Sequence, residues 1–379
     1  MLSDYLNDRI DCSRYRDPKH PVVHDFSIPF DPVLRLDARY RGIIREIRRA
    51  DYLLSGMVFS DSDYRDLVIG TYSSNVHWSV NLDGNDLPVD QVRRLALLFS
   101  GGNLSGSFDD GDKAVVNHLY SLFVYFMESG HGLPWDTDRI VALHSCLRNN
   151  VEDGNACRGF RPDPMSFVNR DGKEIYVACE PSRIEEELEA LLDWMNSSPY
   201  DEVITSVIFL HAFESIHPFK TGNGTTGRTL ALILLQELGL KNCVLCRIDD
   251  DIFSDRDTYQ TLMVYTEDTK DYAPLVMYIA ESLLRSYRRT VSQFSERDLS
   301  RYMDGYMKNI VRRSKTVDEF SVSEATSWCE GITEQSVRLK LRALTDMNVL
   351  EKHGQTRSQR YRIKDPFRGV KESLLRADR

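Results

Sequence analysis

The sequence has no long hydrophobic run, no paired set of cysteines and no overall excess of basic charge. The best apolar stretch, Leu230 to Leu240, is interrupted by Gln236 and Glu237. It falls short of the ~20 apolar residues that a membrane-spanning helix needs. Residues 1–17 are charged throughout and lack the apolar stretch of a secretory leader, so the expectation is a cytoplasmic protein with no membrane contact. The seven cysteines are odd in number and scattered, which speaks for free thiols and against a disulfide framework. Cys243 and Cys246 form a CxxC inside an apolar stretch. With no second pair and no nearby histidines to complete a zinc site, they read as buried structural thiols. The net charge is −10, from 48 Lys+Arg against 58 Asp+Glu, which argues against a chain devoted as a whole to nucleic acid. At 379 residues and 41% apolar, the chain can bury more than one core without disulfides.

What the sequence does contain is mostly helical periodicity, with no internal repeat. Amphipathic or apolar helices are expected over 38–54, 90–99, 113–128, 136–149, 181–194, 201–216 and 226–238, and one or two more over 258–290. Residues 158–179 break this rule. Phe160, Phe167 and Val168 precede the turn Asn169-Arg170-Asp171-Gly172, and Ile175-Tyr176-Val177 follow, which is a hairpin pattern. Its edge could take an extended peptide as an added strand, or the hairpin could be a plain surface excursion.

Residues 301–379 have a different character, with 17 Lys+Arg and 11 Asp+Glu against 31 and 47 in residues 1–300. Short helices at 321–330 and 333–347 precede two strand-like runs at 349–352 and 361–364. Helix, turn, helix and hairpin make a winged-helix pattern. Arg338, Lys340 and Arg342 lie on the second helix, and Arg357, Arg360 and Arg362 on the hairpin. These positions suit DNA contact, while many winged helices dock proteins or dimerise instead.

The most informative string is His217-Pro218-Phe219-Lys220-Thr221-Gly222-Asn223-Gly224-Thr225-Thr226-Gly227-Arg228, between two apolar helices. Gly222 and Gly224 permit positive φ and let backbone amides converge on an anion. The helix that follows offers its positive end. Arg228, placed in the first helical turn, supplies a fork for phosphate oxygens. His217 stands where an imidazole could take a proton from an attacking hydroxyl. A phosphate cradle beside a base implies phosphoryl or nucleotidyl transfer. The plainer alternative is a glycine-rich helix–helix turn with a capping histidine.

This string resembles the core pattern of the Fic family, His-x-Phe-x-(Asp/Glu)-Gly-Asn-Gly-Arg-x-x-Arg, at His217, Phe219, Gly222, Asn223, Gly224 and Arg228. The resemblance spans about residues 70–285, with the hairpin in the place of the family's active-site flap and Gly159 and Arg161 at its base. It implies AMP transfer from ATP to a Ser, Thr or Tyr hydroxyl of a protein substrate. His217 would be the base and Phe219 the loop anchor. Gly222, Asn223, Gly224, Thr225, Gly227 and Arg228 would bind the nucleotide phosphates. Two positions depart from the pattern. Thr221 stands where an acidic residue binds Mg²⁺, and a neutral hydroxyl is a poor substitute. Thr225 replaces the first arginine. Loss of such contacts often costs ~10²–10³ in rate each, which puts Mg²⁺-dependent transfer in doubt.

Many Fic proteins also carry an inhibitory helix with Ser/Thr-x-x-x-Glu-Gly. Ser79, Asp83 and Gly84 fit that pattern, with Asp for Glu. The alternative is a helix end stopped by Gly84 with Asp83 solvated. His211, Glu214 and His144 read as packing residues, and Asp249-Asp250-Asp251 as a solvated helix start. The expected architecture is mainly α. It has an N-terminal helical region (1–100) carrying the inhibitory segment, a Fic-type helical core with a β-hairpin flap (101–290) and a winged-helix domain (301–379). Two functions stay open: an autoinhibited, attenuated protein adenylyltransferase, and a degenerate nucleotide sensor that controls DNA or partner binding. A homo-oligomer is compatible with either.

Overall fold

The computed structural model describes residues 10–370 apart from 11–13, 16, 37, 85, 102–107, 128–132, 150, 152–158, 170, 355–358 and 369. A short strand β1 (Val22–Val23) precedes α1 (Ala38–Gly56), α2 (Asp61–Leu82), α3 (Val89–Ser100), α4 (Asp110–Met127) and α5 (Thr137–Leu147). The hairpin β2 (Ser166–Val168) and β3 (Glu174–Val177) follows. Then come α6 (Ile184–Asn196), α7 (Glu202–Ile216), α8 (Asn223–Glu237), α9 (Ile248–Ser254), α10 (Arg256–Thr269) and α11 (Ala273–Ser295). No helix among the described residues is long and apolar enough to cross a membrane.

α7 and α8 form the centre. Nearly every side chain of α7 is buried, as expected of a helix that is apolar on all sides. Asp201 starts it by accepting hydrogen bonds from Val203 N and Ile204 N, both at 3.1 Å. α8 packs along α7, and α2, α4 and α5 lie against α8, while α6 and α11 cover α7. The long helical stretch expected over 258–290 is two helices. Lys270 takes a left-handed φ of 56° and closes α10, and a proline in the first turn of α11 starts a new axis.

The hairpin forms, with Asn169 Oδ1 accepting from Asp171 N and Lys173 N at 3.0 Å each and Gly172 at φ +77°. Its sheet has a third member that the sequence did not announce. β1 lies parallel to β3, Val22 opposite Tyr176 and Val23 opposite Val177. The strand order is therefore β1-β3-β2, so β1 and β2 are the two edges and β2 is the edge on the hairpin's side. A register irregularity falls between Phe167 and Val168, which twists that edge.

Residues beyond 300 form α12 (Gly305–Ser314), α13 (Val322–Ser327) and α14 (Glu334–Asp346), then the antiparallel pair β4 (Leu350–His353) and β5 (Arg360–Ile363). Ser321 and Glu324 make a reciprocal cap on α13. Ile310, Phe320, Val337, Leu341, Leu344 and Leu350 centre a second apolar cluster. This cluster is tied to the first. Val58 N donates to Asp298 Oδ1 and Leu299 N to Val58 O. Asp61 N, at the start of α2, donates to Asn348 O at 3.2 Å. Phe367 packs on Tyr64 and Phe123 in the first core.

Candidate active site

His217 ends α7 in a left-handed conformation, φ 52°, ψ 61°. Its Nδ1 lies 3.2 Å from the carbonyl of Glu214. A carbonyl can only accept, so Nδ1 carries the proton and Nε2 presents a lone pair. Burial lowers the imidazole pKa to about 4, so the ring is neutral near pH 7. Arg161 locks the loop from the flap side. It donates to the His217 carbonyl at 2.7 Å and to the carbonyls of Ile216 and Cys179, while its own N–H donates to Pro218 O at 2.9 Å. Phe219 is fully buried and stacks on His144, ring centroids 3.7 Å apart. His144 in turn bonds Thr226 at 3.1 Å. The loop is thus anchored through a core histidine.

The start of α8 holds the chain's own carboxylate. Asp83 Oδ2 accepts from Thr225 N at 2.9 Å and from the Thr225 hydroxyl, and Asp83 Oδ1 accepts from Arg228 Nη2 at 3.0 Å. Arg228 Nη2 also donates to Ser79 O at 2.8 Å. Burial alone would raise the Asp83 carboxyl, but Arg228 and Thr225 outweigh it and hold the pKa below the ordinary range. Gly84, at φ +92°, lets the chain turn away just after Asp83. So the helix does end at the glycine, but Asp83 reaches the arginine and is not simply solvated. Thr225 stands at an arginine position of the family pattern, and here it binds Asp83 with both amide and hydroxyl.

Three acids gather on Arg228: Asp83 and two others. Glu214 Oε1 and Asp249 Oδ1 each lie 3.9 Å from its guanidinium. Burial raises Glu214 to about 7 despite Arg228, and burial also raises Asp249. Burial opposes the charge of Arg228, yet Asp83, Asp249 and Glu214 together raise its pKa. Asp249 corrects the expectation of a solvated helix start. It is buried and faces the arginine, and Asp251 pairs with Arg289 at 2.9 Å. Nothing in the linear sequence places Glu214 and Asp249 on one guanidinium, because they lie on different helices.

Four other expectations change. Asn223, assigned to phosphate, spends both ends of its amide on Phe219, accepting from its N–H at 2.9 Å and donating to its C=O at 2.7 Å. It shapes the loop. Gly222 has the positive φ, 75°, but Gly224 is helical. A Cβ on Gly224 would fall 2.5 Å from Asp83 Oδ1 and 2.8 Å from Arg228 Nη1, so the missing side chain makes room for the clamp. Gly227 packs against α7. A Cβ there would meet Phe213 at 3.0 Å and Leu210 at 3.2 Å, so it serves helix packing. Arg228 lies in the second turn of α8, not the first.

His217, Gly224, Arg228 and Asp83 open onto a cleft of about 840 Å³, bordered on the flap side by Phe167, Val168 and Tyr176. The His217 ring meets Phe167 edge-on at 4.7 Å. Thr221 is exposed at the loop tip beside Lys220. This stretch offers a neutral hydroxyl and an adjacent cation where Mg²⁺ prefers carboxylate oxygens. Asp83, the acid at the loop amides, is committed to Thr225 and Arg228. The residues at the motif position do not fit a magnesium ion.

The remaining expectations concern thiols, histidines and the C-terminal basic residues. Cys243 and Cys246 are buried, and burial pushes both thiols above their ordinary range. His211 is buried and bonds Met263 O at 3.1 Å. Of the six basic residues assigned to DNA contact, the five that are described meet acids. Arg338 pairs with Glu334, Lys340 with Asp304, Arg342 with Asp346, Arg360 with Glu324 and Arg362 with Glu351. Arg357 lies outside the described residues, as does Arg170 of the flap turn.

Residues 134–235 match the model of the Fic/DOC family. A protein adenylyltransferase, fic-1, of Caenorhabditis elegans is 25% identical over 227 residues, 58% of this chain and 41% of the relative. The chain thus spans less than half the length of that relative. A Fido domain-containing protein of Dictyostelium discoideum is 31% identical over 128 residues, 32% of this chain and 85% of the relative. Among solved structures, a Fic family protein from Desulfovibrio desulfuricans superposes with a TM-score of 0.58 at 17% identity, covering 88% of this chain and 98% of the other. With most of the Dictyostelium relative matched at this identity, and with the motif loop inside the matched segment, the chain belongs to the Fic/DOC family.

Proposed function

We propose that the protein transfers AMP from ATP to a Ser, Thr or Tyr hydroxyl of a protein, and that Asp83 holds this activity down. The observation that carries the reading is one cleft in which a neutral His217 and an anion-binding helix start face each other, with the chain's own carboxylate in the anion position. When Asp83 withdraws, the Thr225 amide, its neighbours at the α8 terminus and Arg228 become available to phosphate oxygens. His217 Nε2 takes the proton of the attacking hydroxyl. The hydroxyl oxygen bonds to the α-phosphorus, and the bond to pyrophosphate breaks. The nearby polyanionic nucleotide raises the low imidazole pKa, strengthening the base. The target segment lies along β2, the edge strand of the flap. Since Thr221 does not suit magnesium, the leaving pyrophosphate is neutralised by Arg228 and the helix terminus alone, consistent with a slow enzyme.

In the same reading residues 1–100 carry the inhibitory helix, residues 101–290 the catalytic core, and residues 301–379 a winged helix that docks a partner protein. Pairing of Arg338, Lys340, Arg342, Arg360 and Arg362 with acids favours protein over DNA there. The test is labelling with α-labelled ATP, with Mg²⁺, Mn²⁺ or chelator, using wild type, Asp83→Ala and the double variant with His217→Ala. Label that appears with Asp83→Ala and vanishes with the second change supports the reading. ATP binding without any label supports a nucleotide sensor instead.

A further inference from the structure

Away from the cleft, three metal-binding side chains meet at the root of the flap. His24 follows β1, Cys179 follows β3, and Glu187 lies on α6. The imidazole Nε2 and Glu187 Oε2 are 2.6 Å apart, and with Cys179 Sγ the donor atoms all lie within 4.8 Å of one another. The His24 and Glu187 side chains are 3% and 0% exposed, and Cys179 is 2% exposed.

The surroundings fix which way the imidazole faces. Tyr176 OH donates to Ser215 O at 2.9 Å, so toward His24 Nδ1, 3.0 Å away, its oxygen accepts. Glu267 Oε1 stands 3.1 Å from the same nitrogen. Nδ1 therefore carries a hydrogen, and Nε2 is turned to Glu187 and Cys179. A carboxylate as second partner of a ligating histidine is the usual outer arrangement of a metal centre. Glu187 Oε1 is buried and accepts no hydrogen bond. Arg183 Nη2 comes within 3.0 Å of it without hydrogen-bond alignment, from a side chain 47% exposed.

We propose that His24 Nε2, Cys179 Sγ and the Glu187 carboxylate bind a divalent metal ion of the zinc type. Mixed N, S and O donors suit Zn²⁺. A tetrahedral ion with bonds of about 2.0–2.3 Å holds its ligand atoms roughly 3–4 Å apart, so the side chains need only small rotations. Water takes the fourth position, because the two oxygens of one carboxylate lie too close together to span a tetrahedral edge. A thiolate and a carboxylate neutralise a 2+ ion, which a buried site requires. On binding, the Cys179 thiol and the Nε2 position each release any proton they hold to solvent. The ion ties β1, the end of β3 and α6 together. It acts on the flap from behind, apart from the nucleotide chemistry.

The test uses the full chain, stripped with chelator and then titrated with Co²⁺ and with Zn²⁺. Expected are one Co²⁺ per chain with a near-ultraviolet thiolate-to-cobalt band, and a higher Tm with Zn²⁺. The band disappears in Cys179→Ser and Glu187→Gln. Glu267→Gln, which touches the ion only through His24, weakens Zn²⁺ binding about 10–100-fold. Glu187→Gln keeps the side-chain shape, so it decides the matter if Cys179→Ser fails to fold. A folded wild type with no cobalt–thiolate band and no Zn²⁺ effect on Tm overturns the proposal. The cluster would then be held by protons alone. A band that survives both ligand variants also overturns it, since the ion would sit elsewhere.

Discussion

Replacing Asp83 by alanine should release the α8 terminus while leaving the fold intact. The carboxylate accepts from Thr225 N, the Thr225 hydroxyl and Arg228 Nη2. Hydrogen bonds to charged groups contribute about 1.5–3 kcal/mol each, but they are not additive, and the Asp83 side chain is 28% exposed. About 3 kcal/mol for the set is a fair discount, and at about 1.4 kcal/mol per decade the open fraction should rise about 10²-fold. The fold should survive because Arg228 keeps Glu214 and Asp249 at 3.9 Å and the Ser79 carbonyl at 2.8 Å. The stability cost against unfolding should be about the same, roughly 3 kcal/mol, because the interactions lost belong to the closed native state. Initial rates of label transfer and of self-labelling from α-labelled ATP measure the release, with Asp83→Asn as an intermediate that keeps shape but loses charge. The reasoning fails if Asp83→Ala binds ATP no more tightly than wild type and transfers no more label. It fails equally if the label persists when His217→Ala is added.

Three further outcomes follow from the packing and charges. Phe219→Ala removes a fully buried ring stacked on His144 and should lower stability by about 3–5 kcal/mol, read by denaturant unfolding, with loss of labelling. Stability should also fall with acid. Burial holds His118 and His144 at about 3 and His211 and His217 at about 4, against an ordinary 6.5. Unfolding therefore takes up protons below pH 6.5, and the stability of neutral histidines is lost as pH falls from there toward the folded values. Glu214, raised to about 7 from 4.5, already holds one proton when folded and offsets one histidine between pH 6.5 and 4.5. The net of three protons gives about 4 kcal/mol per pH unit in that window, and a flat Tm between pH 6.5 and 5 would refute this. In a mobility-shift assay at physiological salt, duplex DNA should not be retained, since Arg338, Lys340, Arg342, Arg360 and Arg362 all face acids. Binding with a steep salt dependence would restore DNA as the partner.

Local signals carried much of this protein in its sequence. The apolar stretches fixed α7 and α8, because a helix buried on all sides needs apolar residues at every position. The Asp-Gly turn set the hairpin, and the spacing from His217 to Arg228 singled out the loop between α7 and α8. Ser79, Asp83 and Gly84 could be picked out by pattern. Tertiary structure decided what these residues touch. Only packing α2 against α8 could show that an aspartate, one methylene shorter than glutamate, reaches both Arg228 and Thr225. Glu214 and Asp249 meet Arg228 from separate helices, and Asn223 turns inward to Phe219 because the loop closes on itself. The strand at Val22–Val23 had too few residues to signal itself. It exists because β3 offers an edge, and that pairing brings His24 to Cys179 and Glu187. Periodicity reports which face of an element is buried, whereas partners distant in sequence meet only when the elements pack.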